Sequence, residues 1–141
     1  MKIYFSCSIT GGRSDQQSYA WIVEYLQKRG HIVPTAHLSS MDVMDEENVI
    51  DPPDVYRRDV DWVASSDALI AEVSTPSHGV GYEIAIALSL DKPVLCCYQK
   101  GKTVSKMILG NTDPGILVRD YESLNELGNF IDEFLDTSQL R

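Results

Sequence analysis

The chain has 141 residues, with 21 acidic against 12 basic side chains and a formal net charge of −9. This length is enough for one domain with a substantial core, so we expect a single domain over residues 1–141. A strongly acidic chain is a poor partner for a nucleic-acid polymer or an anionic membrane surface, because both bind basic faces. A small phosphate ligand stays compatible with this charge, since a few backbone amides and one arginine can hold it.

The sequence shows no pattern typical of a membrane span, an export signal or a metal site. The N-terminal apolar run 3–5 is too short for a signal-peptide core, and charged and polar residues interrupt the most apolar region, 68–90. Three cysteines are an odd number without metal-ligand spacing: Cys7, Cys96 and Cys97. We therefore expect reduced thiols in a cytoplasmic protein, or a nuclear one in a eukaryotic source, with neither a metal nor an organic cofactor.

Strand-like and helix-like segments alternate along the chain. In chain order they are a strand at 2–6, a helix at 15–29, a strand at 31–35, a helix at 54–65, a strand at 68–73, a helix at 80–90, a strand at 93–98, a helix at 104–109, a strand at 115–118 and a helix at 121–135. Ser14 and Gln17 fit a capping box at the start of the first helix. The acidic segment 36–53 is predicted to be a loop with one helical turn, and loops this long are usually functional.

This alternation predicts an α/β fold with a parallel sheet and helices on both faces. We expect five strands in a flavodoxin-like, or Rossmann-like, order. In such folds ligands bind beyond the carboxyl ends of the strands. Three segments should therefore converge on a site: the turn after the first strand, the loop after the second strand and the turn after Val73. The helix at 80–90 is apolar almost all round, which predicts that it is buried.

Glu83 is an isolated carboxylate in an otherwise apolar helix, and it is predicted to lie in the first turn. There the helix dipole and free N–H groups favour the anion. A permanently ionised carboxylate at a strand-to-helix turn suits a nucleophile. The alternative is a carboxylate that only caps or pairs at the helix start.

Asp59 is expected to lie on the apolar face of its helix. Val55, Asp59, Trp62 and Val63 fall on one side, whereas Arg58 is expected to point elsewhere. Burial raises the pKa of a carboxyl group, which suits a general acid. The alternative is a buried aspartate bonded to backbone donors. Two carboxyl groups with opposed environments make the catalytic interpretation stronger than either residue alone.

Two glycine-containing turns are candidates for anion binding. The segment 74–81 combines hydroxyl groups with two glycines before the apolar helix, so its backbone amides and serine oxygens could hold a phosphate. The alternative is a tight turn that needs glycine for backbone reasons. The turn at 8–13 is the second candidate. Neither a dinucleotide nor a nucleoside triphosphate site is supported, because the motifs for those ligands are missing.

Tyr4 shares its side of the first strand with Ser6, where it either hydrogen-bonds a catalytic carboxylate or simply packs. His37, just beyond the second strand, is a candidate to line a pocket, and His78 is a candidate to help hold an anion. Either histidine is equally compatible with a surface position. The histidines lack metal-ligand spacing.

Four motifs in the order YFSCSITGGR, YRRDVDW, AEVSTPSHGVGYE and VSKMILG resemble the nucleoside 2-deoxyribosyltransferase superfamily over essentially the whole chain. The similarity is greatest to its 2'-deoxynucleoside 5'-monophosphate N-glycosidases. The resemblance implies a flavodoxin-like fold, a homodimer, and hydrolysis of the N-glycosidic bond of a nucleoside monophosphate without a cofactor. The apolar and nearly uncharged character of the helices at 80–90 and 104–109 makes them candidates for the dimer face, although a helix buried within one chain would show the same pattern.

By this resemblance Glu83 is the nucleophile, Asp59 the acid/base, and Tyr4 the residue that orients Glu83. The resemblance implies that the substrate-binding residues are Ser8, Ile9, Gly11, Arg13, Ser77, Gly79, Ser105 and Met107, and we add His37 because of its position after the second strand. Among these, Ser105 would reach the phosphate from the neighbouring subunit, and Met107 would lie near the base. In retaining glycosidases the two carboxyl groups are about 5–5.5 Å apart.

Cys7 and Thr10 depart from the family pattern, which has glycine and arginine at these two places. Because of these departures, the sequence does not determine which base and which sugar the substrate contains, and a ribonucleotide substrate stays compatible with it. Two other functions are also retained: a deoxyribosyltransferase that exchanges bases, and a nucleotide-binding domain without catalytic activity.

Overall fold

Four parallel strands form the central sheet of the protein. They are β1 (Ile3–Ser6), β2 (Ala68–Glu72), β3 (Val94–Gln99) and β4 (Ile116–Tyr121), and they lie side by side in that order. The computed structural model describes residues 1–9, 15–40 and 42–139. The predicted site residues Gly11 and Arg13, the departure at Thr10 and the capping-box residue Ser14 lie outside this part of the chain.

The prediction of five strands is wrong, because the segment 31–35 forms only an isolated bridge. Ile32 pairs in parallel with Lys2 on the free edge of β1. Pro34 follows and has no N–H to donate to a ladder. The Thr35 hydroxyl then takes the place of a strand partner: it accepts from the Phe5 N–H (3.0 Å) and donates to the Phe5 carbonyl (2.7 Å).

Six α-helices and one 3-10 helix, Ala36–Ser39, occur in the described part of the chain. The α-helices are α1 (Gln16–Lys28), α2 (Val43–Asn48), α3 (Pro52–Ser65), α4 (His78–Ser89), α5 (Lys106–Leu109) and α6 (Leu124–Gln139). The predicted helix at 104–109 is one turn long because Ser105 caps it, with its hydroxyl accepting from the Met107 N–H (3.2 Å). The last strand is longer than predicted, and α6 begins three residues later than expected.

Alternation along the strands divides the core into two layers, so the prediction of helices on both faces is confirmed. On one face Ile3, Phe5 and Ile70 pack with residues of α1 and α6. On the other face Tyr4 and Leu69 pack with residues of α3 and α4. The two helices that carry Asp59 and Glu83 therefore cover the same face of the sheet.

The expectation that the helix at 80–90 is buried on all sides is wrong. Val80, Ile84 and Ala87 are buried against the sheet, but Tyr82 and Ala85 are exposed. An apolar pattern without polar positions cannot distinguish a helix in the core from one whose outer face meets another protein. This exposed face bears on the proposal of a dimer below.

The three cysteines are buried and free of disulfide bonds, which is compatible with the predicted reduced thiols. No helix among the described residues is long and apolar enough to cross a membrane. The same residues contain no group of three or more His, Cys, Asp or Glu side chains arranged to hold a metal ion.

Candidate active site

Asp59 of α3 and Glu83 of α4 line one cavity of about 380 Å³. The other lining residues are Tyr56, Val60, Val63, His78, Gly79, Tyr82 and Ile86. The two carboxyl groups are close enough for the charge of Asp59 to raise the pKa of Glu83. The sequence-predicted pair therefore shares an open cleft instead of lying on opposite sides of the molecule.

Glu83 is the more deeply buried acid of the pair. Its Oε2 accepts a hydrogen bond of 2.5 Å from the Ser6 hydroxyl at the carboxyl end of β1. Burial raises the pKa of Glu83 to about 7, and the hydrogen bond from Ser6 and the nearby Tyr4 hydroxyl only partly offset this effect. The expectation of a permanently ionised carboxylate is therefore wrong. Since α4 begins at His78, Glu83 lies in its second turn, where the helix dipole has largely faded.

Tyr4 is fully buried in β1 and projects from the same face as Ser6. Burial and the charges of Glu83 and Asp59 raise its pKa, so its hydroxyl keeps its proton. The hydroxyl lies near enough to the Glu83 carboxyl to lower the pKa of that acid. Among the residues described, none gives it a hydrogen bond of regular geometry. Tyr4 can therefore stabilise the carboxylate as a donor.

Asp59 is mostly buried, with 18% of its side chain exposed. Burial is the largest influence and raises its pKa, as the sequence predicted. The prediction that Arg58 points away is wrong, because its Nε donates to Asp59 Oδ1 at 2.9 Å and lowers the pKa of that acid. A helical projection of α3 alone places Arg58 off the apolar face, but its long side chain reaches both Asp59 and the ring of Trp62.

His37, Glu47 and Arg58 form a chain of contacts beside Asp59. The Arg58 guanidinium lies 3.0 Å from Glu47 Oε1, and His37 Nε2 lies 2.9 Å from the same oxygen. His37 was predicted as a pocket residue, whereas Glu47 and Arg58 were missed. The only signal in the sequence was an acidic helical turn shortly before a helix with two arginines, and charge complementarity could have linked them.

The predicted anion loop precedes α4. Ser77 is the N-cap residue of this helix, and its hydroxyl accepts from the Val80 N–H at 3.4 Å. Gly79 and His78 are exposed at the same helix start, where free N–H groups favour an anion. A hydrogen bond anchors this loop to the start of α1, since the Thr75 hydroxyl donates to the Asp15 carboxylate at 2.6 Å. From the turn after β1, Ser8 is buried and Ile9 is half-buried against the core.

Ser105 and Met107 do not lie at the Glu83 cleft of their own chain. They line a different cavity, of about 680 Å³, on the other side of α4, together with Ser77 and Gly81. His78 is the residue that lines both cavities. Met107 is 84% exposed, so its side chain is available to another molecule.

A second buried glutamate, Glu72, was not predicted as a notable residue. It ends β2, is 0% exposed, and points to the face covered by α1 and α6. Its Oε1 accepts from the Ser74 N–H (2.8 Å) and from the Ser74 hydroxyl (2.6 Å). Burial raises the pKa of Glu72 to about 7. It does not line the Asp59–Glu83 cavity.

Comparison with known protein families gives a match over residues 3–130 to the model of the nucleoside 2-deoxyribosyltransferase family. A protein of Danio rerio named 5-hydroxymethyl-dUMP N-hydrolase is 39% identical over 141 residues, covering 97% of each chain. A protein of Methanococcoides burtonii, named as a candidate 2'-deoxynucleoside 5'-phosphate N-hydrolase, is 40% identical over 119 residues, which cover 84% of this chain and 98% of the relative.

Solved structures share the fold at lower sequence identity. The CMP N-glycosidase of Clostridium botulinum superposes with a TM-score of 0.70 at 18% identity, covering 94% of this chain and 99% of that chain. A 2-deoxyribosyltransferase from Bacillus psychrosaccharolyticus has a TM-score of 0.63 at 18% identity, covering 92% and 91% of the two chains. These superpositions support the α/β architecture.

Proposed function

Because the chain belongs to the nucleoside 2-deoxyribosyltransferase family, we propose that it hydrolyses the N-glycosidic bond of nucleoside 5'-monophosphates, with or without a 2'-hydroxyl. The products are the free base and the sugar 5-phosphate. The observation that carries this proposal is the pair of buried carboxyl groups, Asp59 and Glu83, in one cavity. The names of relatives at about 40% identity support the same reaction.

In the proposed mechanism the Glu83 carboxylate attacks C1' of the sugar and forms a glycosyl-enzyme ester. The protonated Asp59 gives its proton to the leaving base as the C1'–N bond breaks. The Asp59 carboxylate then takes a proton from a water molecule that attacks C1', and Glu83 leaves as a carboxylate. Ser6 and Tyr4 hold Glu83 in position and stabilise its anionic form.

Phosphate recognition is proposed for the start of α4. Ser77 and Gly79 would contact the phosphate, together with Ser8 and Ile9 of the turn after β1. Gly11 and Arg13 complete the proposed set by resemblance. A binding site for the phosphate gives a physical reason for preferring nucleotides over free nucleosides, because nucleosides lack the anion that these N–H groups would bind.

The proposed active form is a homodimer in which Ser105 and Met107 enter the cleft of the partner subunit. In one chain these residues lie across α4 from Glu83, so a second copy is needed to bring them to the substrate. Several large apolar side chains on α3, α4 and α5, or directly after α4, are exposed: Tyr56, Tyr82, Leu90, Met107 and Leu109. Exposed apolar side chains of this kind are compatible with a protein interface. The three buried thiols agree with the proposed cytoplasmic or nuclear location.

The direct test is to incubate the protein with a panel of nucleoside and deoxynucleoside 5'-monophosphates and to detect the free base by chromatography. We expect base release that needs no added metal. Adding an acceptor base separates hydrolysis from base exchange, because a transferase forms a new nucleotide or nucleoside. Tight binding of a nucleotide without base release would favour a non-catalytic binding domain instead.

Ser105→Ala tests the dimeric arrangement of the site. If the hydroxyl contacts phosphate, the variant raises KM for nucleotides more than for the matching nucleosides. Light scattering on the wild-type protein should give the mass of two chains. A fully active monomer, or equal effects of the variant on nucleotides and nucleosides, would contradict the arrangement.

A further inference from the structure

A partly buried chain of charged groups leads away from the proposed general acid. It starts at Asp59, passes through Arg58 on the same helix to Glu47 of α2, and ends at His37 of the 3-10 helix. Arg58 has 20% of its side chain exposed and Glu47 has 12%. Burying charged groups to this extent is costly unless they are paired, so these contacts are well-defined parts of the fold.

Aromatic packing fixes the same groups in place. The Arg58 guanidinium lies over the ring of Trp62, 4.8 Å from its centroid, and the His37 ring meets Trp62 edge-on at 5.8 Å. Trp62 therefore contacts two members of the charged chain, Arg58 and His37. Together these contacts join the acidic segment before α3 to the helix that carries Asp59.

We propose that Arg58 and Glu47 are positioning residues for the reaction, with Arg58 holding the Asp59 carboxyl group towards the leaving base and Glu47 holding Arg58. The inference rests on the proposed function, because it assigns these residues to the same general acid. Arg58 uses separate nitrogens for its two partners, Nε for Asp59 and Nη2 for Glu47. This forked geometry cannot be reproduced by a lysine.

The neighbouring arginine shows what an ordinary surface pair looks like on the same helix. Arg57 pairs with Asp54, three residues earlier, and its side chain is 70% exposed. Exposed pairs of this kind contribute little to stability. Arg57 touches neither Asp59 nor Glu47 in the contacts above, so it is a matched control for Arg58.

The network also acts on the protonation of Asp59, and its cationic and anionic members act in opposite directions. Arg58 and His37 lower the pKa of Asp59, whereas Glu47 raises it. From the other elements around the cleft, Glu83 of α4 and Tyr4 of β1 also interact with this acid. Removing Arg58 should therefore raise the pKa of Asp59, and removing the charge of Glu47 should lower it.

The experiment compares Arg58→Gln, Glu47→Gln and the control Arg57→Gln. For Arg58→Gln we expect kcat to fall by about 10- to 100-fold with a smaller change in KM, because a misplaced acid fails in the transition state. A bell-shaped profile is centred midway between its two apparent pKa values. The pH optimum of kcat/KM should therefore move up in Arg58→Gln, down in Glu47→Gln, and stay in place in Arg57→Gln.

Two further measurements distinguish a positioning role from a folding defect of the variants. The pKa of Asp59 is read directly from its carboxyl ¹³C shift by NMR, which requires no activity. Arg58→Lys keeps the charge and should restore the pH optimum, while kcat stays below the wild-type value. If the Arg58 variant unfolds, the downward shift in Glu47→Gln still decides the matter.

Outcomes against the inference differ from those against the function. If wild-type protein releases base but Arg58→Gln and Arg57→Gln behave alike, the positioning role is overturned and the function stands. If both Arg58→Gln and Glu47→Gln move the Asp59 pKa in the same direction, the role is likewise overturned. If wild-type protein releases no base from any nucleotide, the proposed function itself fails.

Discussion

Glu83 and Glu72 are two buried glutamates with similar immediate chemistry and different surroundings. Burial raises the pKa of each to about 7, and each accepts a short hydrogen bond from a serine hydroxyl, Ser6 at 2.5 Å and Ser74 at 2.6 Å. Glu83 faces a cavity that it shares with Asp59, whereas Glu72 is sealed at the end of β2. A perturbed pKa therefore marks burial, and access to a cavity with a second acid distinguishes a candidate catalytic group.

The largest expected difference between the two glutamates is in activity. Glu83→Gln removes the proposed nucleophile at nearly constant size, so base release should fall by at least about 10³-fold. Glu72→Gln keeps an oxygen that can accept from Ser74 and should leave kcat close to the wild-type value. Both rates are measured by chromatography of the released base under identical conditions.

Circular dichroism of both variants is the control, since each must be folded for the rates to be compared. Full activity in Glu83→Gln would remove this residue from the nucleophile role. A loss in Glu72→Gln as large as that in Glu83→Gln would show that the sealed glutamate belongs to the chemistry, and the comparison would have to be abandoned.

The second difference concerns stability and pH. The pKa of Glu72 is about 7 in the folded chain against an ordinary value of 4.5. Between these values the folded state binds a proton that the unfolded state has lost, so the free energy of unfolding falls as pH rises. The full effect of such a shift is about 3 kcal/mol. Denaturant titrations of wild type and Glu72→Gln at pH 5 and pH 8 should show a flatter pH dependence in the variant.

The exposed carboxylate Glu122, paired with Lys100, is the matched control for this measurement. Glu122→Gln should keep the wild-type pH dependence, because exposed pairs contribute little. Part of the dependence should survive in Glu72→Gln, since Glu83 has a raised pKa of its own. An unchanged pH dependence in Glu72→Gln would mean that Glu72 titrates normally in the folded chain.

Much of the fold could be predicted from the sequence because it follows from local patterns. Apolar runs and helical spacing predicted all four strands and five of the six α-helices among the described residues, whereas α2 was expected only as one helical turn in a loop and the segment 31–35 was wrongly predicted to be a strand. The prediction of a strand there was wrong because the Thr35 side chain, 30 residues along the chain, makes the hydrogen bonds to the Phe5 backbone that a neighbouring strand would otherwise make. The prediction that α4 is buried on all sides was wrong because its outer face is also apolar. A sequence pattern does not show what, if anything, covers such a face.

The residues of the candidate site that could be predicted are those whose polar side chain interrupts an apolar pattern. Glu83 and Asp59 are carboxylates among apolar residues, and strand alternation linked Tyr4 to Ser6. The predicted permanent ionisation of Glu83 was wrong because burial raises the pKa of its carboxyl group to about 7, and the sequence pattern does not show how deeply this side chain is covered. Arg58 and Glu47 were missed because their contact depends on how α2 packs back against α3, which no local pattern encodes.

The smallest expected difference between the two glutamates appears when the serine that donates to each of them, Ser6 or Ser74, loses its hydroxyl. Ser6→Ala and Ser74→Ala each remove one hydroxyl donor that lowers the pKa of its glutamate. Each loss should raise that pKa and cost about 1 kcal/mol of stability. Because Glu83 is the proposed nucleophile, Ser6→Ala should move the pH optimum of kcat/KM upward. Ser74→Ala should leave the optimum in place and move only the pH dependence of unfolding. A shifted pH optimum of kcat/KM in Ser74→Ala would mean that the protonation of Glu72 affects the Asp59–Glu83 cavity through the loop before α4.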